Sequence, residues 1–148
     1  MLDAGRLGCA RIAQMAVKRK KIVSRLLPET RSLRRLRAMG YVADMAEIRK
    51  GRFIKNDWGG FADLSAVRRL NPGLIGAPEV LFVQATSRDN VRSRERKVLA
   101  APDAYDCVWA GCRIEVWGWE KSREDPLIIE LNDLSRYEPL PYGHPDRA

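Results

Sequence analysis

The sequence predicts an α/β domain with a central mixed sheet of four to five strands flanked by helices. Short apolar runs bounded by Gly or Pro alternate with stretches in which apolar residues recur at helical spacing. The resulting order of helix, three strands, helix and strand favours helices packed on the faces of a sheet. The chain has 148 residues, of which 45% are hydrophobic and 31% charged, so it can bury a core of its own.

The first predicted element is a helix over residues 29–39. Pro28 suits its first turn, three apolar residues spaced three apart form a stripe, and Gly40 is a typical stop. We expect a strand over residues 41–48. Basic residues then lead to residues 56–60, which have the composition of a loop.

Two apolar runs in the middle of the chain are predicted to be buried strands, and each carries one polar residue. The first run covers residues 61–67 and contains Asp63, whereas the second covers residues 80–87 and contains Gln84. A turn is expected between them, around residues 71–73.

The second half of the chain supplies further elements. A basic helix is expected up to Leu99, with Ser87 or Asp89 as its cap, followed by a short helical segment through Trp109. Residues 112–119 alternate polar and apolar side chains, as a half-covered strand does. In the acidic, Pro-rich tail, only residues 127–129 are expected to pack firmly.

Charge is distributed unevenly along the chain, whose net charge is +8. Residues 1–55 contain 15 Lys and Arg against 4 Asp and Glu, whereas the remainder contains 12 against 15. Such asymmetry is typical of a nucleic-acid-binding protein. The alternative is a solubilising surface with a disordered basic start. We divide the chain into a basic N-terminal arm (1–25), an α/β domain (26–121) and an acidic tail (122–148), and leave the start open between Met1 and Met15.

Other residues exclude several classes of protein. The three cysteines lack zinc-finger spacing, which argues against a zinc finger. The single histidine, His144, has no partner histidine, which argues against a histidine-based metal site or triad. No membrane-spanning run and no signal-peptide pattern are present, so we expect no membrane partner and a cytoplasmic, intracellular location.

Asp63 and Gln84 form the central functional hypothesis. If their strands are neighbours, the two side chains can converge, and a buried carboxylate beside a buried amide is costly unless both are satisfied. A divalent cation, Mg²⁺ or Mn²⁺, would satisfy both with oxygen ligands. The alternatives are a strand-end or turn-capping role for Asp63 and a hydrogen bond from Gln84 to a neighbouring loop.

The layout resembles the PD-(D/E)XK nucleases, the restriction-endonuclease-like fold, and among them the Holliday-junction resolvases and phage-type nucleases. The likeness rests on the segments 37–41, 60–64, 81–87 and 111–117. It implies that Asp63 and Gln84 bind the metal and that Glu29 contributes through a water on it. Glu29 could instead be a first-turn acid that complements the helix dipole.

Two residues depart from the family pattern. Gln84 replaces an acid, which weakens metal binding, and Thr86 stands where the family keeps its catalytic lysine. Lys97 on the following helix is the best substitute, followed by Arg94 and then Lys55.

The resemblance implies a metal-dependent endodeoxyribonuclease, selective for branched DNA, that acts as a homodimer and is encoded by a cell, a phage or a prophage. The alternatives are a non-catalytic nucleic-acid-binding protein with the same fold and a basic protein that binds an acidic protein partner. Trp58, Trp117 and Trp119 are candidates for stacking on bases, although core packing is favoured for the last two. The expected DNA-binding residues are Arg34, Arg35, Lys55, Arg88, Asn90, Arg92 and Arg94.

Overall fold

A mixed sheet with helices packed on both of its faces forms the centre of the fold. A computed structural model describes residues 25–46, 48–50, 54–70, 76 and 78–131. The helices are α1 (Pro28–Ala38), α2 (Val91–Leu99), which follows the 3-10 turn Arg88–Asn90, and α3 (Pro102–Trp109). The strands are β1 (Val42–Met45), β2 (Ile48–Lys50), β3 (Ile54–Asn56), β4 (Leu64–Arg69), β5 (Pro78–Ser87), β6 (Arg113–Trp119) and β7 (Leu127–Glu130).

The main sheet has five strands in the order β1-β4-β5-β6-β7. All neighbours are antiparallel except β5 and β6, which are parallel and joined by α2 and α3. The prediction of an α/β domain with a mixed sheet flanked by helices is therefore confirmed. β2 and β3 form a separate antiparallel hairpin.

Alternation along the strands separates two apolar clusters. α1 packs on the face that carries Leu64, Val83 and Trp117. The opposite face carries Phe82 and Val116 and is covered by α2 and α3. α1 is also held by a hydrogen bond of 2.7 Å that Trp119 Nε1 donates to the buried Ser32 Oγ.

Three strand predictions differ from the structure. The strand expected over residues 41–48 is divided, because Ile48 pairs with Asn56 in the β2–β3 hairpin rather than continuing along β4. The run 61–67 becomes a strand only at Leu64, since residues 58–62 form a tight turn. β6 is buried from residue 114 to residue 119 and is not half-covered, because it lies between two strands with helices on both faces.

Some predictions fall outside the described residues. These are most of the basic arm, the turn at residues 71–73 and the end of the acidic tail from residue 132. Within the tail, the segment 127–129 forms β7 and pairs with β6, but it does not pack firmly as expected: Leu127 and Ile128 are each 42% exposed, and only Ile129 packs against the core. None of the described helices has the length and apolar content needed to cross a bilayer.

Candidate metal and nucleic-acid site

The start of β4 and the end of β5 bring Asp63 and Gln84 together. Asp63 immediately precedes β4, and its backbone N–H donates a hydrogen bond of 3.0 Å to the carbonyl of Val83. Because β4 and β5 are antiparallel, the start of one strand lies beside the end of the other. The side chains converge as expected, since Gln84 Nε2 donates a hydrogen bond to Asp63 Oδ2.

Both side chains are almost completely buried. Asp63 is 4% exposed and Gln84 is 1% exposed. Oδ2 of Asp63 also accepts a hydrogen bond of 2.8 Å from the backbone N–H of Ala85. Gln84 Oε1 is buried and accepts no hydrogen bond from the described residues. An unsatisfied buried acceptor costs about 1–3 kcal/mol, so a hydrogen-bond donor or a cation at this oxygen would be stabilising.

Burial raises the pKa of the Asp63 carboxyl to about 7. The hydrogen bond from Ala85 opposes this shift, whereas the nearby negative charges of Asp57 and Glu29 add to it. The charge of Lys97 lowers the pKa. These effects place Glu29, Asp57 and Lys97 within electrostatic range of Asp63.

Asp57 is the member of this group that the sequence analysis missed. It forms an ion pair with Lys97, 40 residues further along the chain. Asp57 immediately precedes the turn at residues 58–62, where loop composition alone did not distinguish it. An acid next to an aromatic residue and a Gly-Gly pair was the available signal.

The residues present fit a divalent cation in chemistry. Asp63 and Gln84 provide a carboxylate and an unsatisfied amide oxygen, and hard cations such as Mg²⁺ and Mn²⁺ prefer oxygen ligands. Among residues 25–131, so far as they are described, no three His, Cys, Asp or Glu side chains form a metal-binding group. A cation held by Asp63 and Gln84 would therefore take its remaining ligands from water, an arrangement common for Mg²⁺.

Thr86 and Lys97 differ in how the structure places them. Thr86 is buried and shares the Gln84 face of β5 by alternation. A threonine side chain carries no positive charge, as the sequence indicated, so this position provides no ammonium group. Lys97 lies on α2, which packs on this same face, and carries its ammonium group to Asp57.

The expected DNA-binding residues lie on both sides of the sheet. Arg34 and Arg35 belong to α1, whereas Arg92 and Arg94 belong to α2 on the opposite face. Arg94 is half-buried and has no ion-pair partner among the described residues. Lys55 lies in β3. The remaining contacts pair Arg35 with Asp125, Arg88 with Glu120 (3.3 Å), Arg92 with Glu95 (2.8 Å), and Asn90 Nδ2 with Ser87 Oγ (3.0 Å).

The three tryptophans proposed for base stacking are not equivalent. Trp117 and Trp119 are buried in the α1-side cluster, as the sequence analysis favoured, so neither can stack on a base. Trp58 is 38% exposed. Comparisons of the chain with protein-family models, with curated proteins and with solved structures found no match.

Proposed function

We propose that the protein is a metal-dependent endodeoxyribonuclease of the restriction-endonuclease-like type. The observation that carries this proposal is the buried contact between Asp63 and Gln84, which leaves an amide oxygen unsatisfied beside a carboxylate whose pKa is about 7. Perturbed carboxyl groups beside unsatisfied polar atoms are typical of functional sites. The uneven distribution of positive charge supports a polyanionic substrate.

Each charged residue has a role in this proposal. Asp63 and Gln84 would hold Mg²⁺ or Mn²⁺, which, when bound, polarises the scissile phosphate and makes water a better nucleophile. Glu29 orients the attacking water. Lys97 stabilises the negative charge that develops on the phosphate, and Asp57 positions its ammonium group. The water oxygen bonds to phosphorus as one phosphorus–oxygen ester bond breaks; the attacking water gives up one proton, and the departing sugar oxygen takes one up.

The second candidate is a nucleic-acid-binding protein without catalytic activity. Two observations favour it: Thr86 stands at the position of the family lysine, and the substitute Lys97 is already paired with Asp57. An ammonium group held by a carboxylate has less charge available for a phosphate. Binding through Arg34 and Arg94 would not depend on the metal.

Cleavage assays separate the two candidates. The full chain is incubated with labelled linear, flapped and four-way DNA in Mg²⁺ or Mn²⁺, alongside Asp63→Asn. As a control, Glu124→Gln removes a carboxylate that is exposed and has no ion-pair partner among the described residues. Metal-dependent cutting that is lost in Asp63→Asn and kept in Glu124→Gln supports the nuclease. Tight, salt-sensitive binding without cutting supports the binding protein, and no binding at low salt eliminates both.

A further inference from the structure

Three aromatic residues beside the candidate site pack against one another. The indole of Trp58 lies parallel to the ring of Phe82, with centroids 4.6 Å apart and an interplanar angle of 6°. Phe61 meets both rings edge-on, at 5.9 Å from Trp58 and 5.8 Å from Phe82. Phe61 is fully buried and Phe82 nearly so, so the indole packs against residues of the core.

The backbone of the turn also fixes Trp58. Trp58 and Ala62 exchange two backbone hydrogen bonds of 3.0 Å. Gly59 and Gly60 both have positive φ angles, 58° and 73°, which residues with a side chain rarely adopt. A Cβ at residue 59 would also lie 2.8 Å from the Phe61 ring. These hydrogen bonds and backbone conformations restrict the positions that the indole can adopt, whether or not a ligand is bound.

The indole of Trp58 remains partly exposed despite these contacts. The parallel stack covers one face and Phe61 covers an edge, yet 38% of the residue is exposed. A large aromatic residue that is held rigidly and left open is suited to stacking on a flat ligand, because little conformational entropy is lost on binding.

The exposed indole lies near the residues of the candidate metal site. Phe82 and Gln84 share one face of β5, about 7 Å apart along the strand. Asp57, the partner of Lys97, immediately precedes Trp58 in the chain. The indole therefore stacks on the residue two positions before Gln84 and immediately follows the ion-pair partner of Lys97 in the chain.

We propose that Trp58 stacks on an unpaired base next to the scissile phosphate, so that the substrate class is DNA with an unstacked nucleotide, such as a flap or a branch. This inference depends on the proposed function. Bases in an intact duplex are covered on both faces by their neighbours and cannot stack on an indole held in this way. Trp58 then distinguishes unpaired from paired DNA, whereas the basic residues provide affinity for the phosphate backbone of the DNA.

The test compares Trp58→Leu and Trp58→Phe with the wild type and with Trp109→Leu, which removes an exposed tryptophan on α3. The probes are a blunt duplex and a flapped duplex that carries 2-aminopurine at the unpaired position. We expect Trp58→Leu to bind the flapped DNA about tenfold more weakly and the blunt duplex equally well. Trp58→Phe should retain most of the affinity because it keeps a ring over Phe82.

A second measurement does not depend on the variants folding. Stacking on Trp58 should quench 2-aminopurine when the wild-type protein binds, and not when the fluorophore is paired within the duplex. Equal effects of Trp58→Leu on both DNAs, or wild-type binding without quenching, would overturn the assignment while leaving the nuclease proposal intact. If the wild type binds neither DNA at low salt, both proposals fail.

Discussion

The amide of Gln84 donates a hydrogen bond to the carboxylate of Asp63 at a point of the sheet where both side chains are buried. This contact joins the start of β4 to the end of β5. It satisfies the amide nitrogen and leaves the amide oxygen without a donor from the described residues. A carboxylate beside an amide oxygen provides the kind of oxygen ligands that divalent cations take in proteins.

The stability of the protein should depend on the protonation of Asp63. Its pKa is about 7 in the folded protein against 3.8 ordinarily, so the folded state binds this proton more tightly than the unfolded chain. The stabilisation is complete below about pH 4 and is lost as the pH rises to about 7. Asp63→Asn, which cannot ionise, should therefore unfold about 5 °C above the wild type at pH 8.

Circular dichroism melts between pH 4 and pH 8 provide the measurement. The difference between Asp63→Asn and the wild type should shrink towards pH 4, and Glu124→Gln should follow the wild type at every pH. A lower unfolding temperature for Asp63→Asn at pH 8 would contradict the assigned pKa.

Divalent cations should raise the unfolding temperature in a pH-dependent way. A cation competes with the proton on Asp63, so Mn²⁺ should stabilise the wild type at pH 8 and much less at pH 5. Asp63→Asn should show little stabilisation at either pH. Thermal melts with and without Mn²⁺ give the comparison, and equal shifts in wild type and Asp63→Asn would indicate binding elsewhere.

Replacing Gln84 with glutamate should strengthen metal binding. A glutamate provides a second carboxylate, as the PD-(D/E)XK motif that this segment resembles does, and affinity for hard cations rises with the charge of the ligands. We expect Gln84→Glu to bind Mn²⁺ about tenfold more tightly in calorimetric titrations at pH 8. Gln84→Leu, which removes the amide oxygen, should bind more weakly than the wild type; unchanged affinity in both variants would remove Gln84 from the ligand set.

Lys97 should affect cleavage more than binding. Loss of one donor that stabilises the transition state typically lowers the rate by about a hundredfold, so Lys97→Ala should cut DNA at about this reduced rate or below. Because the charge of Lys97 also lowers the pKa of Asp63, the acidic limb of the rate profile should move to higher pH. Lys121→Ala, at an exposed lysine, is the control. An equal loss of binding and cutting would make Lys97 a phosphate contact only.

Gly118 should be intolerant of any side chain. A Cβ there would lie 2.1 Å from Val91 Cγ2 and 3.3 Å from the Cα of Arg88, at the start of α2. Overpacking of this kind costs about 1–3 kcal/mol, so Gly118→Ala should reduce the free energy of unfolding in urea by that amount. Gly76→Ala meets nothing within 4 Å and should be neutral. Equal stability of the two variants would show that α2 moves aside freely.

The extent of prediction from sequence differed between elements. α1, β5 and the helix ending at Leu99 lie close to their predicted positions, because apolar spacing and Pro or Gly at the ends are local signals. The β2–β3 hairpin was missed, since basic residues mask its alternation. The burial of β6 was underestimated, because α1 covers one of its faces and α2 and α3 cover the other, a packing that the alternation of β6 itself does not encode.

By itself, the sequence determined the α/β class, the main strands and the two polar residues that interrupt them, since hydrophobic periodicity and composition are carried by neighbours along the chain. Tertiary structure alone decided that Asp57 pairs with Lys97, that Trp58 rests on Phe82 and that one oxygen of Gln84 has no donor. The two pairings join residues 40 and 24 positions apart, and the third feature depends on what surrounds a buried atom. Their energies arise from strand register and helix packing, which no local pattern specifies.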